Sequence, residues 1–539
     1  MSGMRSAVIV ADRMAIAVLA AVAIVAAFTF RDYGLAWDDY THSQYGDLLL
    51  KLYGSGFADT RAFSFVNLFM YGGGFDMAAA LAAKVLPFDL FETRRLMGAL
   101  VGIVGLFAIW RLGRRLGGPV AGLCALVLLA TCPLYYGHMF INAKDSPFAT
   151  AMILLLLGAV RALDEYPNPG KRSMVLIGIA MGAAFGSRIL ALLAGPYMAA
   201  GLLLVFASEI RSLGLRAAVR RLGRFIWMLL PALPLAYLIM GLLWPYSILA
   251  PLNPLRAVEY FDKFFEKPWR EMFDGSLISV TQMPPNYVPQ LFSLQLPEIM
   301  LALGSGGAIA ALVAIVRRDL PITRRAGLLM VTLAAFLPVA IVVVTQPALY
   351  NGLRHFVFLT PAFAVLGGLF AGWVYEHARF RNRLAARAVV LVFIVGVAIP
   401  VIGMKRLHPY EYTYFNKLAG GVQEANDNYM LDFWGLAFKQ TGAELRSRLA
   451  RAKVPPPKGR KWVVAICGPQ SAAQVALGPQ FETTYDQKKA DFAMALGTYY
   501  CRHLRAPILA DIERDGVIYG RVYDMRDRAP EKLVTEPPP

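Results

Sequence analysis

Charge is scarce in this chain. Only 17% of its 539 residues are Asp, Glu, Lys or Arg, where a soluble domain usually carries about a quarter. Set beside 57% hydrophobic residues and a mean hydropathy of +0.50, that shortage excludes a water-soluble enzyme and a disordered chain alike. Cysteine is rare too: four residues cannot build a disulfide scaffold, and no C-x-x-C or H-x-x-x-H spacing offers a zinc site. The 47 glycines follow no period, which removes a collagen-like fibre, and no repeat of about 20–50 residues suggests a solenoid. Acid is scarcer than base, 36 residues against 54, leaving a net charge of +18. Such an excess would suit nucleic-acid binding, but in a multispanning protein Lys and Arg first hold loops on the cytoplasmic side. No nucleic-acid partner is expected.

Apolar runs are what the sequence has in quantity. A spanning helix needs roughly 20 mostly apolar residues. By that rule eleven spans are expected, near 14–30, 96–112, 118–138, 147–165, 174–188, 189–208, 225–247, 297–316, 326–346, 356–375 and 389–404. The first reads as an uncleaved signal anchor, because it is long and further spans follow. The stretch 66–86 is ambiguous, since Tyr71-Gly72-Gly73-Gly74-Phe75-Asp76 is poor material for a lipid-facing helix. Charge decides it. If 66–86 only dips into the membrane, the downstream inner loops carry 19 Lys and Arg and the outer ones 7; a full span would invert that distribution against the positive-inside rule. A re-entrant or interfacial helix is therefore expected.

This topology divides the chain into a membrane module, residues 1–404, and an extracytoplasmic domain, 405–539. On the same side lie a first loop, 31–95, and an aromatic loop, 248–296. The tail should be a small α/β fold, with an amphipathic helix around Phe433–Ala452 and strands at Trp462–Cys467, Asp491–Leu496 and Val517–Asp524. Pro537-Pro538-Pro539 reads as a frayed end. Cys124 and Cys132 read as packing residues, while Cys467 and Cys501, each just after a strand-like run, could pair if the compartment is oxidising.

Several polar residues fall at the outer ends of spans. Asp38 and Asp39, with His42 close behind, follow the first span; paired carboxylates there suit a general base with a polar orienter, or simply a solvated acidic loop. Asn142, Lys144 and Asp145 open another span, giving a second acid with a built-in cation, or an interface anchor. Arg188 sits between two short spans, where it could bind phosphate bidentately or snorkel. Tyr350, Arg354 and His355 open the tenth span, an arrangement that could stabilise a phosphate leaving group. His408 and Tyr410, at the exit of the last span, fit an aromatic belt or one wall of an acceptor cleft. The stretch Tyr260-Phe261-Asp262-Lys263-Phe264-Phe265 through Trp269 reads as an interfacial helix or a flap over a lipid groove. The acids and cations on one side of the bilayer suit transfer of a group from a lipid-linked phosphate.

With these motifs in order, the sequence resembles a known family. Gly34-Leu35-Ala36-Trp37-Asp38-Asp39 looks like the acidic motif in the first outer loop of the C-type membrane glycosyltransferases (GT-C fold). Within them it is similar to the bacterial family 39 branch, kin to the protein O-mannosyltransferases and lipid A aminoarabinose transferases. Asn142-Ala143-Lys144-Asp145-Ser146-Pro147-Phe148, Pro285-Asn286-Tyr287-Val288-Pro289, Tyr350-Asn351-Gly352-Leu353-Arg354-His355-Phe356, His408-Pro409-Tyr410 through Asn416, and Asp432-Phe433-Trp434-Gly435 carry the likeness, which covers residues 10–440. The resemblance implies a polyprenyl-phosphate monosaccharide donor, a glycan, lipid or protein acceptor, and inversion at the anomeric carbon, in the bacterial cytoplasmic membrane with the C-terminal domain periplasmic. It makes Asp38 the base, Asp145 the second acid and Arg188 a phosphate ligand, with Asp39 standing where the family usually has Glu. No cofactor is firmly implied, and no ligand cluster demands a divalent metal. A transporter or flippase of lipid-linked sugars is the alternative.

Overall fold

The computed structural model describes residues 2–262, 268–501 and 504–526. The middle of the expected flap, 263–267, and the terminal prolines lie outside the described residues. The protein is a polytopic helical membrane protein with a small strand-containing domain at its C-terminal end. Among the described residues nine helices are long and apolar enough to cross a membrane, or ten if one bent pair counts as a span. Eleven spans were expected, so the count is lower.

Two places account for the difference in shape. The expected span 118–138 is broken into Pro119–Ala130 and Pro133–Ile141, bent by 62°. Pro133 cannot donate a backbone hydrogen bond, and it forces Cys132 into extended backbone (φ −87°, ψ 108°). The expected span 174–188 is the 15-residue helix Lys171–Phe185, which at 1.5 Å per residue reaches only about 22 Å, short of a hydrocarbon core. It stops at Gly186-Ser187; Arg188 is extended, and a tight turn of helix at Ile189–Leu193 leads into the next span. The ambiguous stretch 66–86 holds only a nine-residue helix, Gly74–Ala82, far too short to cross.

Helix ends follow local chemistry. Leu90–Gly117 begins where the Asp89 carboxylate accepts from the Glu92 N–H at 2.8 Å, and it ends at Gly118, whose φ of 87° suits glycine. Arg114 and Arg115 in its last turn oppose the helix dipole. Within the bundle, Asp145–Asp164 is the most enclosed span, 83% buried in its apolar window, while Arg383–Leu407 is peripheral at 11%.

The C-terminal domain is a five-stranded sheet. We number the strands after an upstream hairpin, β1 (Arg270–Phe273) and β2 (Ser276–Ser279): β3 (Trp462–Cys467), β4 (Phe481–Thr484), β5 (Phe492–Leu496), β6 (Ile508–Arg514) and β7 (Val517–Asp524). The order is β4-β3-β5-β7-β6, with β3 parallel to both neighbours and β7 antiparallel to β5 and β6. The β6–β7 turn is Asp515-Gly516, both at positive φ (46° and 80°), as a two-residue hairpin requires. The expected helix around 433–452 starts later, at Phe438. The Asp432 carboxylate accepts from the N–H groups of Gly435 (3.0 Å), Leu436 (3.0 Å) and Ala437 (3.2 Å), holding residues 433–437 in a turn.

Candidate active site

A cavity of about 790 Å³ opens between the bundle, the β1–β2 hairpin and the C-terminal domain. Of the residues singled out in the sequence, Asp38, Asp39, His42, Lys144, Asp145, Arg188, Tyr350, Arg354 and His355 line it. His408 and Tyr410 do not. His408 lies between Glu411 (Nδ1 to Oε1, 2.6 Å) and Asp32 (Nε2 to Oδ2, 2.9 Å). Tyr410 stacks on Tyr519 and donates to Gln440 at 2.8 Å. Both belong to the junction between the last span and the C-terminal domain, so neither forms a wall of this cleft.

The loop carrying Asp38 is fixed from two sides. The Trp37 N–H donates to the Trp434 carbonyl at 2.8 Å. A Cβ on Gly34 would fall 2.2 Å from the Leu436 carbonyl oxygen, so only glycine lets the loop lie this close to the turn held by Asp432. From the bundle, Arg95 donates to the Gly34 carbonyl at 2.5 Å. Asp38 itself is half-buried at the start of helix Asp39–Gly54, and its side chain does not cap that helix. Among the described residues its carboxylate has no hydrogen bond and no ion pair.

Its neighbour is placed quite differently. Asp39 is 3% exposed; its carboxylate is paired with Arg95, accepts from the Ala36 N–H at 2.7 Å and faces Arg94 Nε at 3.5 Å. Burial opposes its charge, yet the two guanidinium groups outweigh that cost and hold the carboxyl below the usual range. Arg94 also donates to Asp76 at 2.7 Å, and Asp76 meets His42 Nδ1 at 2.6 Å. Asp39, His42 and Asp76 thus form a buried ionic frame with two arginines. One signal for it stands in the sequence, the pair Arg94-Arg95 at the head of a helix whose middle, Leu96 to Trp110, carries no charge.

The second acid is also paired. Asp145 meets Arg188 at 2.6 Å and accepts from the Asn142 amide at 2.8 Å, while Asn142 in turn accepts from the Asp145 N–H at 2.8 Å. Asp145 therefore holds Arg188 rather than Lys144. Lys144 lies over the Tyr71 ring, 4.1 Å from its centroid, and Arg188 lies 5.7 Å from the same ring. Tyr71 is held in place because Gly72 is pressed on the Gly186 carbonyl; an added Cβ would come within 1.5 Å of that oxygen. Burial lowers the Lys144 amine to about 8, against the pull of Asp38. Arg354 is 9% exposed and is stacked between Tyr350 (4.6 Å) and Trp434 (4.9 Å), donating to His355 Nε2 at 3.2 Å. Among the described residues neither Lys144 nor Arg354 is within 4 Å of a carboxylate.

The β1–β2 hairpin sets the Arg354 loop. Glu271, buried on β1, accepts from the Asn351 N–H at 2.6 Å and the Tyr287 hydroxyl at 3.1 Å; that hydroxyl accepts from the Gly352 N–H at 3.0 Å. Asn351 and Gly352 have φ of 57° and 62°, a left-handed pair that needs such support. Burial pushes the Glu271 carboxyl up to about 7.

From the C-terminal domain, Gln470, Ser471, Tyr485, Tyr499 and Tyr500 also face the cavity. Cys467 and Cys501 are joined, with Cα atoms 5.7 Å apart. Tyr71, Arg270, Trp434 and the domain tyrosines were not assigned to the site from sequence. Aromatic residues near a membrane are common, and only the fold selects these. Among the described residues no group of three or more His, Cys, Asp or Glu side chains converges as a metal site would require. A smaller cavity, about 580 Å³, lies at the far end of helix Leu90–Gly117; three of its four arginines are paired with Asp12, Asp164 and Glu165.

Residues 75–238 match the family model described as dolichyl-phosphate-mannose-protein mannosyltransferase. The resemblance read from the motifs is borne out over that stretch, which contains Lys144, Asp145 and Arg188. No curated protein matches. Among solved structures the chain is similar to ArnT from Cupriavidus metallidurans bound to undecaprenyl phosphate, at 15% identity and a TM-score of 0.48, covering 94% of this chain and 97% of that one. It is also similar to the oligosaccharyltransferase of Archaeoglobus fulgidus in the apo form, at 12% identity and a TM-score of 0.44, covering 85% of this chain and 64% of that one.

Proposed function

We propose that this protein is an inverting glycosyltransferase that moves a monosaccharide from a polyprenyl-phosphate donor to an acceptor hydroxyl at the outer face of a bacterial cytoplasmic membrane. The observation that carries the reading is one cavity holding an unpaired carboxylate, Asp38, and two enclosed cations, Lys144 and Arg354, without carboxylate partners. Buried charge without a partner is costly, so a cavity built this way suits an anionic ligand. The family match over 75–238, whose description names a dolichyl-phosphate sugar, supports a lipid phosphate as that anion.

In this scheme Asp38 takes the proton of the acceptor hydroxyl. The oxygen attacks the anomeric carbon as the bond to the phosphate breaks, and the charge growing on the polyprenyl phosphate is met by Lys144 and Arg354. A positioned base contributes about 10²–10⁴-fold, and cations aimed at the leaving group add electrostatic stabilisation. Asp39 and Asp145, both engaged by arginines, act as positioning residues: Asp39 fixes the Asp38 loop and Asp145 fixes Arg188. The net excess of Lys and Arg on the opposite loops and the closed Cys467–Cys501 bond support an outer-face site.

Asp38→Asn tests the assignment. The variant should fold and bind undecaprenyl phosphate like the wild type while transfer from a polyprenyl-phosphate sugar falls at least 100-fold. Wild-type transfer by Asp38→Asn would overturn the reading.

A further inference from the structure

The cavity has two chemically unlike halves. Its inner half carries the cations. Its outer half is made largely by the C-terminal domain and presents Gln470, Ser471, Tyr485, Tyr499 and Tyr500, and Trp37 lines the cavity with them. Two of these rings are open: Tyr485 is 64% exposed and Trp37 46%. These six residues offer ring faces, hydroxyls and an amide; the exposed Arg270, whose carbonyl accepts from the Tyr499 hydroxyl, adds a single cation at the rim. Between the halves stands Trp434, 5% exposed, with the Arg354 guanidinium 4.9 Å from its ring.

We propose that the outer half is an acceptor subsite for a neutral saccharide, presented by the C-terminal domain. The proposal rests on the glycosyltransferase reading and names its second substrate. The faces of aromatic rings carry partial negative charge, which attracts the polarised C–H bonds on one face of a pyranose, while tyrosine hydroxyls and the Gln470 amide complement sugar hydroxyls. The enclosed cations, Lys144 and Arg354, lie in the inner half, where the donor phosphate is placed. A hydroxyl presented from the outer half would enter beside Asp38, the residue next to Trp37.

The disulfide is part of this surface. Cys467 directly precedes the Gly468-Pro469-Gln470-Ser471 run, and Cys501 directly follows Tyr499-Tyr500, so one covalent bond ties together the two loops that carry most of the subsite. Tyr499 adds a link to the hairpin, its hydroxyl donating to the Arg270 carbonyl at 3.0 Å. Opening the disulfide should loosen the acceptor loops and leave the cation pocket intact.

The test uses the purified full-length protein in detergent and two probes, undecaprenyl phosphate and an array of neutral and acidic oligosaccharides that also displays Ser/Thr peptides and lipid A. The wild type should bind neutral glycans on the array. Gln470→Ala/Tyr485→Ala and, separately, Cys467→Ser/Cys501→Ser should weaken that binding at least 10-fold with undecaprenyl phosphate binding within 2-fold of wild type. Neutral-glycan binding unchanged in the first variant, or array binding confined to peptides, lipid A or acidic glycans, overturns the subsite. Loss of undecaprenyl phosphate binding in the wild type would instead fail the glycosyltransferase reading, so the two failures are separate.

Discussion

Glu271 gives a prediction that can be worked through from the structure. Its carboxyl is pushed up to about 7 from an ordinary 4.5, chiefly because it is buried, and against the opposing pull of the Asn351 N–H, the Tyr287 hydroxyl and Arg354. Between those two values the folded protein holds a proton that the unfolded chain has released. Folding stability therefore falls as pH rises from about 4.5 to about 7 and loses no more from this group beyond that. A gap of about two and a half pH units amounts to about 3 kcal/mol at most. Glutamine has the same shape, keeps an oxygen to accept from Asn351 and carries no charge, so Glu271→Gln removes the slope. Thermal unfolding midpoints of the purified protein in detergent at pH 5 and pH 8 measure it. The variant should gain on the wild type at pH 8 and lose most of that advantage at pH 5. An equal difference between the two proteins at both pH values refutes the reasoning. Glu271→Ala should be worse at either pH, because two buried donors then go unmet at about 1–3 kcal/mol each.

Other outcomes follow from the same geometry. Arg188→Met removes the partner of a buried carboxylate, so it should cost about 3–5 kcal/mol in stability; Asp145→Asn introduced with it should recover part of that loss. Because Lys144 is lowered to about 8, affinity for undecaprenyl phosphate should decline above that pH in the wild type and not in Lys144→Met, as read by equilibrium binding at pH 7 and pH 9. Gly34→Ala should dislodge the Asp38 loop, since the added carbon meets the Leu436 carbonyl at 2.2 Å. Limited proteolysis should then cut the 31–38 segment faster than in the wild type.

The apolar runs carried most of the fold in plain view, because a bilayer demands length and hydropathy that the sequence shows directly. The two departures, at Cys132-Pro133 and at Gly186-Ser187, turn on single residues that interrupt runs still apolar in composition. Strands β3, β5 and β7 stood out as alternating or continuous apolar runs; β4 has only four residues, and β6, Ile508–Arg514, mixes charge with apolar positions as an edge strand does. At the site, the candidate residues could be gathered by the expected topology, but their partners could not. Asp39 meets Arg95 and Asp145 meets Arg188 across sequence separations that no local pattern encodes. For that reason Asp38 and Asp39 looked alike in sequence, and only the fold separates a free carboxylate from a bound one. Glu271 was invisible for the same reason: it lies in a loop read for its aromatic residues.

The uneven enclosure of the spans bears on how the membrane itself acts on this protein. The span that begins at Asp145 is walled in by other helices, whereas Arg383–Leu407 is almost wholly open to lipid and leads straight into the C-terminal domain. A thicker or thinner bilayer is accommodated by tilting whatever helix is free to tilt. Lipid composition therefore acts first on the C-terminal domain and its loops and reaches Arg354 and the Asp38 loop through Trp434, while Lys144 and Asp145 stay with the enclosed span.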